Sequence, residues 1–164
     1  MKPHLLYPDD VPYVWEDVAP MLAKAAEHSE GELEPEDFIE PLSTGEMQLW
    51  VAYEDNESIH AAMVTQFIQY PQKKILRIIS VSGEDFAWYI KNFQEMIDGF
   101  AVKYGCTAIE LWGRKGWKKL LPEWKDSYTV YESFQSGSSF FQPFLPHSSI
   151  AEQPYLIAKP SIIA

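Results

Sequence analysis

A long apolar run, followed by a glycine and an amphipathic helix, most constrains how this chain can fold. Residues 73–82 read KKILRIISVS, and near-continuous apolar side chains of this kind are typical of a central strand covered on both faces. After Gly83, apolar residues recur at helical spacing over Asp85–Tyr104, and Gly105 stands where a glycine commonly ends a helix. The segment CTAIELWG then reads as a further strand. Because a strand that returns after one crossover helix pairs in parallel with its predecessor, the sequence predicts a β–α–β unit.

The segments before this unit predict the rest of a mixed sheet. HLLY (His4–Tyr7) reads as a short first strand, and a cap residue with an early proline begins a helix over residues 10–28. A turn of helix is predicted at Pro35–Ile39, inside an acidic, loop-like segment. The clearest hairpin has its strands at Met47–Tyr53 and Ile59–Gln69.

Residues 1–134 are therefore predicted to form one domain. After the β–α–β unit, GRKGWKKLLPEW reads as a turn with a short helix, and DSYTVYESF reads as a last strand. The predicted class is α+β, with a mixed, mostly antiparallel sheet and helices on both faces. A chain of 164 residues that is 46% hydrophobic is long enough to bury such a core.

Residues 135–164 differ in composition from the domain before them. They contain four prolines and only two charged residues, Glu152 and Lys159, yet they are rich in aromatic side chains. Prolines stiffen an extended chain, and aromatic residues are common anchors in protein interfaces. We expect an extended C-terminal arm that binds a protein partner through Phe140, Phe141, Phe144 and Tyr155.

Charge and composition exclude several classes of function. The net charge is −11, and residues 1–60 carry 15 acidic and 2 basic side chains, an arrangement that disfavours nucleic acid as a partner. Residues 1–60, the acidic third of the chain, either form a surface that binds a basic partner or include a solvated acidic loop. No apolar run approaches the ~20 residues of a membrane helix, and the start MKPHLLYPDD lacks the features of a signal peptide. Cys106 is the single cysteine and is expected to pack rather than react, and no histidines have metal-ligand spacing, so no metal site is predicted.

Two short motifs resemble the GNAT (acyl-CoA N-acyltransferase) fold, and more closely the small GNAT-like proteins of tailed bacteriophages. The motifs are a helix ending and a "GR-GW" turn, and they comprise Ala101, Gly105, Cys106, Gly113, Arg114, Gly116 and Trp117. The resemblance covers residues 47–134 well and residues 1–29 by topology only. It implies a site for acetyl-CoA between the strands of the β–α–β unit.

In the family, a glycine-rich loop between this strand and this helix binds the CoA pyrophosphate. Glycines let backbone N–H groups approach the phosphates, and the helix dipole favours negative charge there. This chain reads SVSGEDFAWY instead, with Glu84 and Asp85 where the anion would lie and Asp85 placed to cap the helix. If the cofactor binds, the resemblance assigns its contacts to Val81, Ser82, Gly83 and Arg114.

The catalytic positions of the family are displaced or replaced in this chain. The position of the family's tyrosine, which protonates the leaving thiolate, is occupied by Leu121 in this chain. Tyr128 and Tyr131 lie on the next predicted strand and could substitute for it only with altered geometry. Glu110 is the candidate general base, although its alternation with Ile109 and Leu111 also fits a solvated strand face. The basic cluster around Trp117 either binds an anion or lies on an exposed helix whose tryptophan turns inward.

Two functions follow from these observations. The first is a bacteriophage GNAT-fold protein with a degenerate acyl-CoA site and no cofactor, which acts through contacts with other particle proteins as a virion or assembly component. The second is an active N-acetyltransferase that uses acetyl-CoA to modify a host or phage protein or a small amine. Either would work in the host cytoplasm, and the first also in the virion. A third, weaker hypothesis is a binder that mimics nucleic acid with its acidic third.

Overall fold

The computed structural model describes residues 2–28, 31–53, 58–83, 86–113 and 116–127. The last predicted strand, apart from its first two residues Asp126 and Ser127, and the whole C-terminal arm lie outside these ranges, as do Arg114 and Tyr128. The strands are β1 (Lys2–Leu5), β2 (Met47–Tyr53), β3 (Ile59–Gln69), β4 (Lys74–Gly83) and β5 (Ala108–Leu111). The α-helices are α1 (Val11–Ala26), α2 (Ile39–Thr44), α3 (Phe86–Lys103) and α4 (Trp117–Leu120), with 3-10 turns at Pro8–Asp10 and Pro35–Phe38.

The five strands form one sheet in the order β1-β2-β3-β4-β5. Neighbouring strands are antiparallel except β4 and β5, which are parallel on either side of the crossover helix α3. The predicted α+β class, the hairpin strands and the β–α–β unit are confirmed. Gly105, just after α3, has the positive φ of 73° that a left-handed helix ending requires.

The first strand lies at Lys2–Leu5, so its prediction at His4–Tyr7 was wrong by two residues. The reason is Pro8, whose fixed φ begins a 3-10 turn directly after Tyr7. The chain therefore leaves the sheet before Tyr7, and the Tyr7 side chain is 77% exposed.

Helices pack against both faces of the sheet and define two hydrophobic clusters. On the face that we call the α1 face, Val18 and Leu22 of α1 pack with Val64 of β3 and Ile79 of β4. On the opposite face, the α3 face, Phe93 and Ile97 of α3 are fully buried against residues of β2, β3 and β4. The predicted apolar stripe of α3 is confirmed at these positions, but Tyr104, beyond the last turn, is 45% exposed.

β4 is the central strand that the sequence predicts. Its residues from Ile75 to Ser82 are all buried, as expected where helices cover both faces. Within the described ranges, none of the helices has the length and apolar character that crossing a lipid bilayer requires.

Candidate functional site

β4 and β5 pair over only part of their length. The parallel register runs from Ile75 opposite Ala108 to Ile78 opposite Leu111. β4 then continues to Gly83, whereas β5 ends at Leu111. Among the described residues, the second half of β4 therefore has β3 as its only strand neighbour.

A β-bulge lies where this divergence begins. Val64 of β3 pairs with Ser80, but the adjacent Thr65 pairs with Ile78, so Ile79 is an extra residue in β4. A bulge disrupts the hydrogen-bond ladder locally and bends the strand. The bulge also places the consecutive residues Ile79 and Ser80 on the same face of the sheet, the α1 face. Ile79 packs in the α1-face cluster, and Ser80 pairs with Val64, which packs in that cluster as well.

The positions that follow the bulge include three of the predicted cofactor contacts. The Val81 side chain is 5% exposed and packs in the α3-face cluster, so only its backbone is available to a ligand. Ser82 is 8% exposed and pairs with Ala62 of the α1 face. Gly83 has a structural reason to be glycine, because a Cβ there would lie 2.6 Å from the Ala61 Cβ and 2.8 Å from the His60 carbonyl oxygen.

Glu110, the predicted general base, forms a partly buried ion pair with Arg77 that the sequence patterns did not predict. Arg77 lies opposite Glu110 in the parallel register, and its Nη2 donates to Glu110 Oε2 at 3.1 Å and to the Tyr70 hydroxyl at 2.9 Å. Lys73 Nζ is 3.6 Å from the other carboxylate oxygen. The Glu110 side chain is only 16% exposed, so the alternative of a solvated strand face was wrong.

Trp112 completes this cluster. The Arg77 guanidinium carbon lies 4.4 Å from the centre of the Trp112 ring, in cation–π geometry. Three buried donor groups near the divergence, Arg77 Nε, Ser80 Oγ and Trp112 Nε1, have no hydrogen-bond partner among the residues that the structure describes. Unpaired buried donors are costly, so they commonly mark a place where a ligand or a water supplies the acceptor. A single arginine inside an apolar strand was the sequence signal for this cluster.

A pocket of about 320 Å³ opens beside the end of β4 on the α1 face. Two residues of α1 and the adjoining ends of β3 and β4 line it, namely Met21, Lys24, Ile59, His60, Ser82 and Gly83. Sequence patterns gave no signal for this pocket, because its walls come from three separate elements that only the fold brings together.

Packing in the turn after β5 accounts for Gly113 and Trp117 of the "GR-GW" motif. A Cβ at Gly113 would overlap the Trp117 ring, so the glycine makes room for the indole. Trp117 is half-buried against the α3-face cluster, while Lys118 and Lys119 are exposed, which agrees with the expectation of an inward tryptophan. Leu121, at the family's tyrosine position, is 5% exposed. Across the described ranges, no group of three or more His, Cys, Asp or Glu side chains is arranged to hold a metal ion.

Solved structures show which fold this arrangement represents. No family model matches the chain, and no curated protein does. The BH1408 protein of Bacillus halodurans is 17% identical, with a TM-score of 0.63 over 82% of this chain and 100% of that one. A ribosomal-protein-alanine N-acetyltransferase from Brucella melitensis is 12% identical, with a TM-score of 0.61 over 82% of this chain and 100% of its own. An aminoglycoside acetyltransferase from an uncultured soil sample is 12% identical, with a TM-score of 0.60 over 82% and 95%.

The chain has the GNAT-type acetyltransferase fold. This confirms the fold part of the resemblance noted in the sequence, whereas the bacteriophage part remains a prediction. At these identities the likeness concerns the fold alone.

Proposed function

We propose that this protein is an acyl-CoA-dependent N-acyltransferase. The observation that carries the proposal is the coincidence of two features: β4 loses β5 as a partner after Ile78, and the bulge at Ile79 lies at the same point. A pantetheine arm contains amide groups, so it can pair, as an added strand would, with the part of β4 that β5 does not reach. Acetyl-CoA is the donor that the names of the structural neighbours favour.

In the reaction, an amine nitrogen attacks the thioester carbonyl carbon and forms a C–N bond. The nitrogen loses a proton, and the C–S bond breaks to release the thiolate of CoA. Glu110 is the proposed proton acceptor, since it lies on β5 one position before the last β4–β5 pair, Ile78 and Leu111. Arg77 and Lys73 bracket its carboxylate and fix its orientation. Arg114 as a cofactor contact and Tyr128 as a proton donor to the thiolate remain predictions from sequence.

A second candidate is a fold that has lost acyl transfer and acts through protein contacts. Glu84 and Asp85 favour it, because two carboxylates beside a pyrophosphate repel it. The close approach of Gly83 to Ala61 also explains why this position is a glycine, so a bound ligand is not needed to explain it. In this candidate the protein is a bacteriophage virion or assembly component, bound to its partner through the arm of residues 135–164.

Titration with acetyl-CoA separates the two candidates. For the enzyme we expect a saturable rise in melting temperature, equivalent to roughly 2.7 kcal/mol at 100 times the dissociation constant. ATP is the control, because it carries phosphates and adenine but no pantetheine. Replacing both Glu84 and Asp85 with glycine should strengthen acetyl-CoA binding.

No shift with acetyl-CoA in either protein would reject the enzyme and favour the second candidate. That candidate makes its own prediction: a chain truncated after Phe134 should fold with a melting temperature within a few degrees of the parent but fail to enter its complex. A truncated chain that assembles normally would reject it.

A further inference from the structure

Two buried donor groups lie at the point where β4 and β5 separate, one on each strand. Trp112 directly follows Leu111, the last residue of β5 that pairs with β4, and its Nε1 is buried. Ser80 is the second residue of β4 after Ile78, and its side chain is fully buried. In the part of the chain that the structure describes, neither Trp112 Nε1 nor Ser80 Oγ has a hydrogen-bond partner. Each therefore lacks an acceptor at the place where the strands part.

Both donors belong to the α1 face of the sheet. Ser80 pairs with Val64, which packs in the α1-face cluster. Leu111 packs in the α3-face cluster, and successive side chains of a strand point to opposite faces, so Trp112 falls on the α1 face. The hydroxyl of Ser80 and the indole N–H of Trp112 therefore border the same side of the separation.

The thioester of an acyl-CoA reaches this point if the molecule binds as the proposed function requires. Its phosphates then lie near Gly83, and its pantetheine arm pairs with the part of β4 that β5 does not reach. The arm ends where β5 joins β4, at Ile78 and Leu111. Glu110, the proposed proton acceptor, lies one position away on β5. The reacting carbonyl, the base and two donors without an acceptor thus come together at one end of the gap.

The reaction places negative charge on the carbonyl oxygen of the thioester. As the amine nitrogen forms the C–N bond, the π electron pair of the C=O bond moves to the oxygen. When the C=O bond forms again, the C–S bond breaks and its electron pair leaves with the sulfur. Preorganised hydrogen-bond donors stabilise such an oxyanion, and they do so best where water is excluded. The Arg77 guanidinium carbon, 4.4 Å from the centre of the Trp112 ring, polarises the indole and strengthens its N–H as a donor.

We infer that the Ser80 hydroxyl and the Trp112 N–H bind the carbonyl oxygen of the acyl group and stabilise the oxyanion that forms on it. The inference rests on the proposed acyl transfer and adds two catalytic residues to it. It also explains why the fold leaves both donors unpaired. A buried donor without an acceptor costs stability in the free protein, and the acyl-CoA supplies the acceptor when it binds.

Acetyl-CoA and S-ethyl-CoA are matched probes, because the first has a carbonyl where the second has a methylene group. Both are titrated by calorimetry into the full-length protein and into its Ser80→Ala and Trp112→Phe variants, the second of which keeps an aromatic ring but removes the N–H. Two variants are controls: Ser43→Ala changes an exposed serine of α2, and Trp124→Phe changes a tryptophan packed against the α3-face cluster. We expect the parent to bind acetyl-CoA about tenfold more tightly than S-ethyl-CoA, as two hydrogen bonds provide. The preference should fall below about threefold in Ser80→Ala and in Trp112→Phe and persist in both controls.

Ser80→Ala also has a readout in the free protein. Because the hydroxyl has no acceptor there, its removal should leave the melting temperature unchanged or raise it. A clear fall in melting temperature would show that the hydroxyl has a partner within the free fold, and it would overturn the inference.

The two probes also separate this inference from the proposed function. If the parent binds both probes equally, the inference is wrong but the proposed function stands, because CoA then binds without a contact to the carbonyl. A preference that survives in Ser80→Ala or in Trp112→Phe, or that is lost in a control variant, would overturn the inference as well. If neither probe binds to the parent, the proposed function itself fails and this inference fails with it.

Discussion

Arg77 and Glu110 face each other across the parallel β4–β5 pair, with 3.1 Å between Arg77 Nη2 and Glu110 Oε2. Arg77 is 1% exposed, so its charge is compensated inside the protein rather than by water. The pair lies one position before the last β4–β5 pair, Ile78 and Leu111, after which the strands separate. Glu110 therefore has two roles: it stabilises the β–α–β unit by pairing with Arg77, and it is the proton acceptor of the proposed reaction.

Removing one member of this pair should be far more harmful than removing both. Glu110→Leu leaves the buried Arg77 uncompensated and should cost roughly 3–5 kcal/mol of unfolding free energy. The double variant Arg77→Met/Glu110→Leu should recover much of that loss. Lys73→Gln is the control, because Lys73 is 41% exposed and its ion pair should contribute less than about 1 kcal/mol. Urea unfolding measures all three, and a Glu110→Leu variant as stable as Lys73→Gln would contradict a buried pair.

Much of the fold could be predicted because local pattern and chain topology agree. The continuous apolar run of β4, the periodic helix after it and the short strand β5 leave parallel pairing as the simple solution. The Arg77–Glu110 pair could not be predicted, because it depends on the register between two strands that α3 separates. The β-bulge at Ile79 could not be predicted for the same reason, because it is defined only by the register between β3 and β4.

Phe93 should be a major contributor to the α3-face core. Its side chain is fully buried in the cluster that joins α3 to the sheet. Phe93→Ala should therefore lower the unfolding free energy by roughly 3–5 kcal/mol. Asp98→Ala, an exposed change on the same helix, should be nearly neutral. Chemical denaturation followed by tryptophan fluorescence gives both values, and equal stabilities would mean that Phe93 does not anchor the helix.

Two glycine-to-alanine changes should have opposite effects on stability. At Gly83 the new methyl would lie 2.6 Å from the Ala61 Cβ, which forces β3 and β4 apart and should cost about 1–3 kcal/mol. At Gly99, within α3, no described residue outside the helix's own backbone and the two chain neighbours lies within 4 Å of the new methyl. Alanine there should stabilise the helix by about 0.5–1 kcal/mol, because it loses less backbone entropy on folding than glycine does. Melting temperatures of the two variants should move in opposite directions, and a stable Gly83→Ala would show that the strands are not in close contact.

Cys106 should make the protein less stable at alkaline pH. Burial raises the pKa of its thiol above the ordinary value of 9.0, although the nearby Lys74 opposes this shift. Because the folded state holds the proton more tightly than the unfolded state, the stabilisation is complete below pH 9.0 and is lost as the pH rises through the folded pKa. Cys106→Ala lacks this contribution, so its urea midpoint should fall less than the parent's between neutral and strongly alkaline pH.

Since Cys106 is the single cysteine, iodoacetamide labelling provides a second measurement, and alkylation at pH 8 should be slower in the folded protein than in urea. Equal labelling rates in the two states, with parallel pH profiles for parent and variant, would show that burial does not protect the thiol.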